Sequence, residues 1–331
     1  MQAKRRTPQS KRQQKKLKEE FIMAISAKQV KELRDMTGAG MMDCKKALTE
    51  TNGDMDEAVE YLRKSGIMKA EKKQSRIAAE GLCDVVMKDD NQAVVVEVNS
   101  ETDFVAKNDT FKEFVRQVAQ VALDTGAADV ADLLTKAWPD DASKTVADVL
   151  TEKTATIGEK LSIRRFQNVK ADDGCVVSYI HGGGRIGVII DAVTDVVDDA
   201  VKTCLHNVAM QVAAMRPKYT SRDEVDQDYL EHEKEILKSQ AMVENPEKPE
   251  NIIEKMIIGR LNKEMKEICL LDQVYVQAED GKQTVGADVK QVAKEAGANL
   301  SVRSFVRFET GEGLEKRQDD FAAEVAAQMN G

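Results

Sequence analysis

The residues best placed to act on another molecule lie in Asn99-Ser100-Glu101-Thr102-Asp103-Phe104-Val105-Ala106-Lys107-Asn108, where a carboxylate and an aromatic ring stand side by side. Neither group needs a cofactor: a carboxylate competes for polar and cationic partners, and a ring fills apolar gaps. Ala93-Val94-Val95-Val96-Glu97-Val98 before them reads as a short buried strand, and from Thr110 onward Phe111, Phe114 and Val115 keep helical spacing. Thr102 to Val105 are therefore expected on a connecting loop, where function concentrates on a rigid scaffold. Spacing leaves two places for Phe104, exposed at the tip or tucked beneath its own helix as a core residue.

Other residue types suggest chemistry and then withdraw it. Gly182-Gly183-Gly184-Arg185-Ile186-Gly187 satisfies G-x-G-x-x-G, but a strand follows where a dinucleotide site needs a helix N-terminus, so a hairpin turn is expected. His181 with the three glycines imitates the oxyanion loop of α/β hydrolases, yet no G-x-S-x-G supplies a nucleophile, and His181 is left as an exposed residue at a turn. Gly38-Ala39-Gly40 runs into Met-Met-Asp rather than a Walker lysine. Cys44, Cys83, Cys175, Cys204 and Cys269 are widely spaced, with no Cys-x-x-Cys pair, and the histidines are His181, His206 and His232. Buried thiols are expected, rather than a zinc site or a disulfide framework. No catalytic cluster, cofactor or metal is indicated.

Composition bounds the class. A chain of 331 residues holds roughly two to three domains. No apolar run approaches the roughly 18 to 20 residues of a membrane span, and no apolar signal core follows the basic start. A formal charge of −9, spread along the chain, suits a cytoplasmic protein and argues against a nucleic-acid binder. The exception is residues 4–18, with eight Lys or Arg and no acid. This arm, 1–22, is too polar to fold; it binds RNA, addresses an organelle, or is an inert extension ahead of Met23.

The elements that position these residues follow an α+β plan. Residues 23–75 are expected as three short helices: Ser26 and Gln29 form a capping box ahead of Val30, Leu33 and Met36 on one face. A second helix starts at Met41 and stops at Asn52-Gly53, and a third runs from Asp54 and Glu57 to Gly66. Met41-Met42 either offers an adaptable contact patch or fills the small core. Residues 76–170 and 171–310 then repeat one pattern, a hairpin, a helix, a further helix and a closing strand, with helices over one face of an antiparallel sheet. Thr145-Val146 with Leu161–Phe166 matches Thr284-Val285 with Leu300–Phe305. The second copy carries roughly 45 extra residues, at about 222–271, expected as an antiparallel helical hairpin broken at Asn245-Pro246-Glu247-Lys248-Pro249. Residues 311–331 are expected to end in an amphipathic helix, Asp319 to Met329, with Phe321 and Val325.

Thr37–Leu48, Thr102-Asp103-Phe104-Val105-Ala106-Lys107, Arg185-Ile186-Gly187-Val188 and Phe321–Ala326 together resemble the bacterial translation elongation factor Ts family, from Met23 onward. The resemblance implies a nucleotide exchange factor, not an enzyme, for the GTPase elongation factor Tu in its GDP-bound and nucleotide-free states. It implies a ubiquitin-associated-like helical domain, a two-part core, a coiled-coil hairpin and a C-terminal helix. By the same likeness, Thr102, Asp103, Phe104 and Val105 act in dislodging the partner's Mg²⁺. Arg34, Met41 and Met42 touch the GTPase domain, His181 a distal domain, and the last helix, with Phe321 and Val325, the GTPase domain again. The basic arm is a departure from the family. Two other classes remain: an RNA-associated protein using the arm, and a nucleotide-using enzyme built on the triple glycine.

Overall fold

The computed structural model describes residues 25–315. The basic arm and the C-terminal helix expected to carry Phe321 and Val325 lie outside the described residues. At the N-terminal end, α1 (Ala27–Thr37), α2 (Met41–Glu50) and α3 (Met55–Glu71) pack around Val30, Leu33, Cys44, Ala47, Leu48 and Ala58. The Ser26–Gln29 capping box forms, and the Asp54 carboxylate accepts the Glu57 N–H to start α3. Two expectations change. Met36 is exposed instead of sharing the Val30–Leu33 face. Gly66 does not end α3, which runs on to Glu71; a Cβ there would come within 3.2 Å of the Ala155 side chain, so the glycine serves close helix packing.

The first half of the core comprises β1 (Glu80–Lys88), β2 (Gln92–Ser100), α4 (Asp103–Ala106), α5 (Asp109–Thr125), α6 (Val130–Thr135), a small hairpin of β3 (Ala137–Trp138) and β4 (Asp141–Thr145), α7 (Val146–Ile157) and β5 (Ser162–Lys170). The second comprises β6 (Gly174–His181), β7 (Ile186–Val193), α8 (Asp199–Met215), α9 (Gln227–Glu244), α10 (Glu250–Ile268), α11 (Val285–Ala296) and β8 (Ser301–Glu309). Both sheets are antiparallel, ordered β1-β2-β5 and β6-β7-β8, so the second strand of each hairpin is central. Thr145 and Thr284 cap α7 and α11 at equivalent places, as the internal repeat requires. The β3–β4 hairpin has no counterpart in the sequence reading.

Helices cover one face of each sheet: Phe111, Phe114, Val115 and Val118 of α5 pack on the first, and Leu205, Val208 and Val212 of α8 on the second. The opposite faces meet each other. Cys83, Ala93 and Val95 of one sheet share a core with Val176, Ile189, Val306 and Phe308 of the other, making a helix–sheet–sheet–helix stack. Each Val or Ile fully buried there contributes about 1.5–3 kcal/mol. Gly187 permits the approach: a Cβ on it would sit 3.0 Å from Val95 Cγ2 and 3.3 Å from Cys83 Cβ.

One buried acid joins the halves. Glu97, on β2, accepts hydrogen bonds from Arg164 (2.9 Å), Arg165 (2.6 Å), Asn99 (3.1 Å) and the Gly311 N–H (2.8 Å) beyond β8. The Arg165 guanidinium also lies 4.2 Å from the Phe308 ring centre. Burial pushes the Glu97 carboxyl up, but these donors outweigh it and hold it below the ordinary value.

In the inserted hairpin, α9 and α10 run antiparallel, joined by Tyr229 Oη to Glu264 (2.6 Å) near the base and Arg260 to Glu244 (2.5 Å) further out. Ala241, Ile253 and Ile257 form a small core of their own. Among the described residues, no helix is long and apolar enough to cross a membrane.

Candidate functional site

The 102–105 stretch is not an open loop. Thr102 is extended (φ −128°, ψ 156°), and Asp103–Ala106 form the single turn of α4 before Asn108 caps α5 by accepting the Thr110 and Phe111 N–H groups. Successive side chains of a helical turn point about 100° apart, so the residues of α4 face different ways. Val105 packs against the core under α5. Phe104 is 79% exposed, which closes the buried alternative for its ring. Asp103 is exposed and paired with Lys107 at 2.6 Å; this hydrogen bond holds its carboxyl below the usual aspartate range. Lys107 Nζ also stands 5.9 Å from the centre of the Phe104 ring.

Thr102 faces the other way. Its hydroxyl does not cap α4; it donates to Glu159 Oε1 at 2.6 Å, while the Thr102 and Glu101 N–H groups donate to Glu159 Oε2 at 3.0 and 3.1 Å. The Thr102 carbonyl accepts the Ser100 hydroxyl at 3.0 Å. In return Glu101 Oε1 accepts the Lys160 N–H at 2.6 Å, and Arg76 pairs with the same carboxylate at 3.2 Å. Lys160 Nζ donates to the Gln74 and Arg76 carbonyls at 2.7 and 3.0 Å. Sequence reasoning missed Arg76, Glu159 and Lys160, because pairings 25 to 86 positions apart leave no local signal.

The remaining candidates sit on other elements. Arg34 is exposed on the last turn of α1 and its carbonyl accepts the Gly38 N–H; Gly38, with φ 66°, reverses the chain toward α2. Met41 and Met42 open α2 at 58% and 75% exposure, beside Met36 at 62%. Both methionines therefore belong to a surface patch and not to the small core. His181 ends β6, exposed, with Nδ1 2.9 Å from Tyr179 Oη, and Tyr179 meets His206 edge-on at 5.3 Å between ring centres.

The glycine run is structural. Gly182, Gly183 and Gly184 all have positive φ, and the Gly184 carbonyl accepts the Cys83 N–H at 2.6 Å, with no room for a Cβ beside Leu82. It is the β6–β7 turn pressed onto the first sheet, not a phosphate cradle. All five cysteines are buried free thiols; burial pushes Cys83 and Cys204 up to about 12, which keeps them protonated and unreactive.

The family model described as elongation factor TS matches residues 101–312. The chain is 53% identical over 306 residues to elongation factor Ts of Clostridioides difficile (strain 630), an alignment covering 92% of this chain and 99% of that protein. It is 50% identical over 310 residues to elongation factor Ts of Trichlorobacter lovleyi, covering 92% and 98%. To elongation factor Ts of Clostridium botulinum (strain Eklund 17B) it is 49% identical over 306 residues, covering 92% and 99%.

Proposed function

The chain belongs to the elongation factor Ts family, and from that premise we propose that it is the guanine nucleotide exchange factor of elongation factor Tu in the cytoplasm. It binds the GDP-loaded GTPase, displaces Mg²⁺, lets GDP leave, and is itself released when GTP binds. No covalent chemistry by this chain is required. The observation that carries the reading is Phe104, a bare ring on a one-turn helix whose flanks are fixed by Glu159 and the core.

Such a ring acts as a wedge. Burying it between elements of the partner supplies about 1.5–3 kcal/mol, and each 1.4 kcal/mol or so of coupling changes nucleotide affinity about tenfold. Mg²⁺ tolerates little distortion of its octahedral shell, so a small shift of the elements supporting it loosens both ion and nucleotide. Asp103, exchanging Lys107 for a partner group, competes for the polar contacts that support that pocket. Thr102 contributes by holding the turn, since its hydroxyl is committed to Glu159. Arg34, Met41 and Met42 on the ubiquitin-associated-like helices dock the GTPase domain, His181 reaches a distal domain, and the α9–α10 pair is the coiled-coil arm. By linkage the coupling is reciprocal: a factor that weakens GDP binding is weakened by bound nucleotide to the same degree.

The test is release of a fluorescent GDP analogue from elongation factor Tu with substoichiometric factor. Catalytic acceleration is expected, with Phe104→Ala slowing release about tenfold or more while much of the binding persists. Release at the unassisted rate by the folded wild-type protein would overturn the exchange reading, and an unchanged rate for Phe104→Ala would remove the wedge.

A further inference from the structure

We infer that Glu159 is a positioning residue for exchange: with Glu101 it forms a reciprocal carboxylate clamp that sets the angle at which Asp103 and Phe104 meet the partner. This rests on the exchange reading above and extends it to residues that neither the sequence motifs nor the exposed surface points to.

The geometry is specific. The segments at 100–102 and 158–160 cross, and each lends a carboxylate to the other's backbone. Glu159 takes the N–H groups of Glu101 and Thr102 and the Thr102 hydroxyl, and Glu101 takes the Lys160 N–H. These are charge-assisted bonds of 2.6 to 3.1 Å, the stronger and more directional class. They converge on the residue where α4 begins, so the clamp fixes the phase of that turn. Phase matters because α4 has a single turn, with Val105 packed against the core; a rotation of that turn would swing Phe104. A short helix has little stability of its own, so side-chain bonds to its first residues decide whether it is formed before the partner arrives.

The clamp also includes the N-terminal helices. Arg76, beyond the end of α3, pairs with Glu101, and Lys160 ties the 74–76 backbone to the same crossing. Lys73 Nζ reaches the Thr154 carbonyl of α7 at 3.5 Å. The helices that carry Met41-Met42 are thereby tied to the segment that carries Phe104, through this polar junction and through the packing of α3 on α7. Pre-positioning of this kind affects the rate of displacement more than the strength of docking.

The experiment measures release of a fluorescent GDP analogue from elongation factor Tu against factor concentration. Variants are Glu159→Ala, Glu159→Gln, Phe104→Ala and the Glu159→Ala/Phe104→Ala pair. Glu159→Ala is expected to lower the saturating rate about tenfold with a change of about threefold or less in half-saturating concentration. Glu159→Gln, which retains an acceptor oxygen, recovers part of the rate. In the Phe104→Ala background, Glu159→Ala has a clearly smaller effect, because the clamp acts through the ring and Asp103, and the ring is already gone. Hydrogen exchange on the isolated factor reads the clamp without any partner: within 101–107 the hydrogen-bonded amides of Glu101, Thr102 and Lys107 lose protection in Glu159→Ala while those of β2 and α5 keep theirs. An undiminished saturating rate, fully additive losses in the pair, or unchanged protection at 101–107 would each overturn the proposal. A wild-type protein that fails to release GDP but loses that protection in Glu159→Ala would instead overturn the exchange role and, with it, the positioning role, while leaving the clamp as a purely structural bond.

Discussion

At the scale of single residues, Asp103 and Glu97 illustrate how differently one functional group behaves in two settings. Asp103 is exposed, and its lowered proton affinity comes from a surface bond to Lys107, the kind of pair that contributes little to stability. Glu97 is buried, held ionised against the cost of burial by two guanidinium groups, an amide and a backbone N–H. Glu97→Gln leaves two arginines short of their counter-charge and is expected to cost about 3–5 kcal/mol near neutral pH, measured by urea unfolding. The pH dependence follows from the sign of the shift. Because the folded carboxyl binds its proton less readily than the unfolded one, its stabilisation is present above the unfolded value of about 4.3 and is lost as pH falls through the folded value. Repeating the unfolding near pH 3 should therefore narrow the gap between wild type and Glu97→Gln; a gap that persists would mean the carboxylate's charge is not what holds the site. Of these residues the sequence made only some legible. Phe104 stood out by type, but four residues are too few for periodicity to say which way a ring points. Glu97 sat unexplained in a run of valines because its partners come from β5 and from beyond β8.

At the scale of elements, the repeat was readable because each half writes its own hairpin, threonine cap and closing strand in local sequence. The face-to-face packing of the two sheets was not. Val94, Val95 and Val96 announce a strand buried on both sides, but no pattern within a strand says what covers the second side. Gly187 was read only as part of two motifs, and its packing role was missed for the same reason, since it lies in Val95 and Cys83 opposite. Gly187→Ala should destabilise by about 1–3 kcal/mol through overpacking, visible as a lower urea midpoint with an unchanged slope. Wild-type stability in that variant would show that the sheets can part at that point. Gly66 shows the converse error: read as a helix stop, it is a packing glycine beneath α7, since one glycine in a helical pattern has both uses.

At the scale of the whole molecule, the body and the hairpin are built to be separable. The hairpin's chain ends are neighbours, with Tyr219 bridged to Cys269 and the Lys218 N–H donating to the Ile268 carbonyl at 2.8 Å. Replacing residues 227–266 by a short Gly-Ser linker should shift the thermal midpoint of the body by only about 5 °C or less, as followed by circular dichroism. Loss of the cooperative transition would show that the arm is integral to the core. The two halves of the body are bound together more closely, and the bond from Glu97 to the Gly311 N–H has a consequence in time. Those residues are 214 positions apart, whereas Arg164 and Arg165 come only 67 and 68 after Glu97. As the chain leaves the ribosome, the acid meets its counter-charges as soon as the first half is complete, so that half can fold early without an orphaned charge inside it. Its bond from the Gly311 N–H waits until the second half has been made. The second half thus closes as a seal over a core already neutralised, and a chain cut short before Gly311 lacks one of the four donor groups that surround the acid.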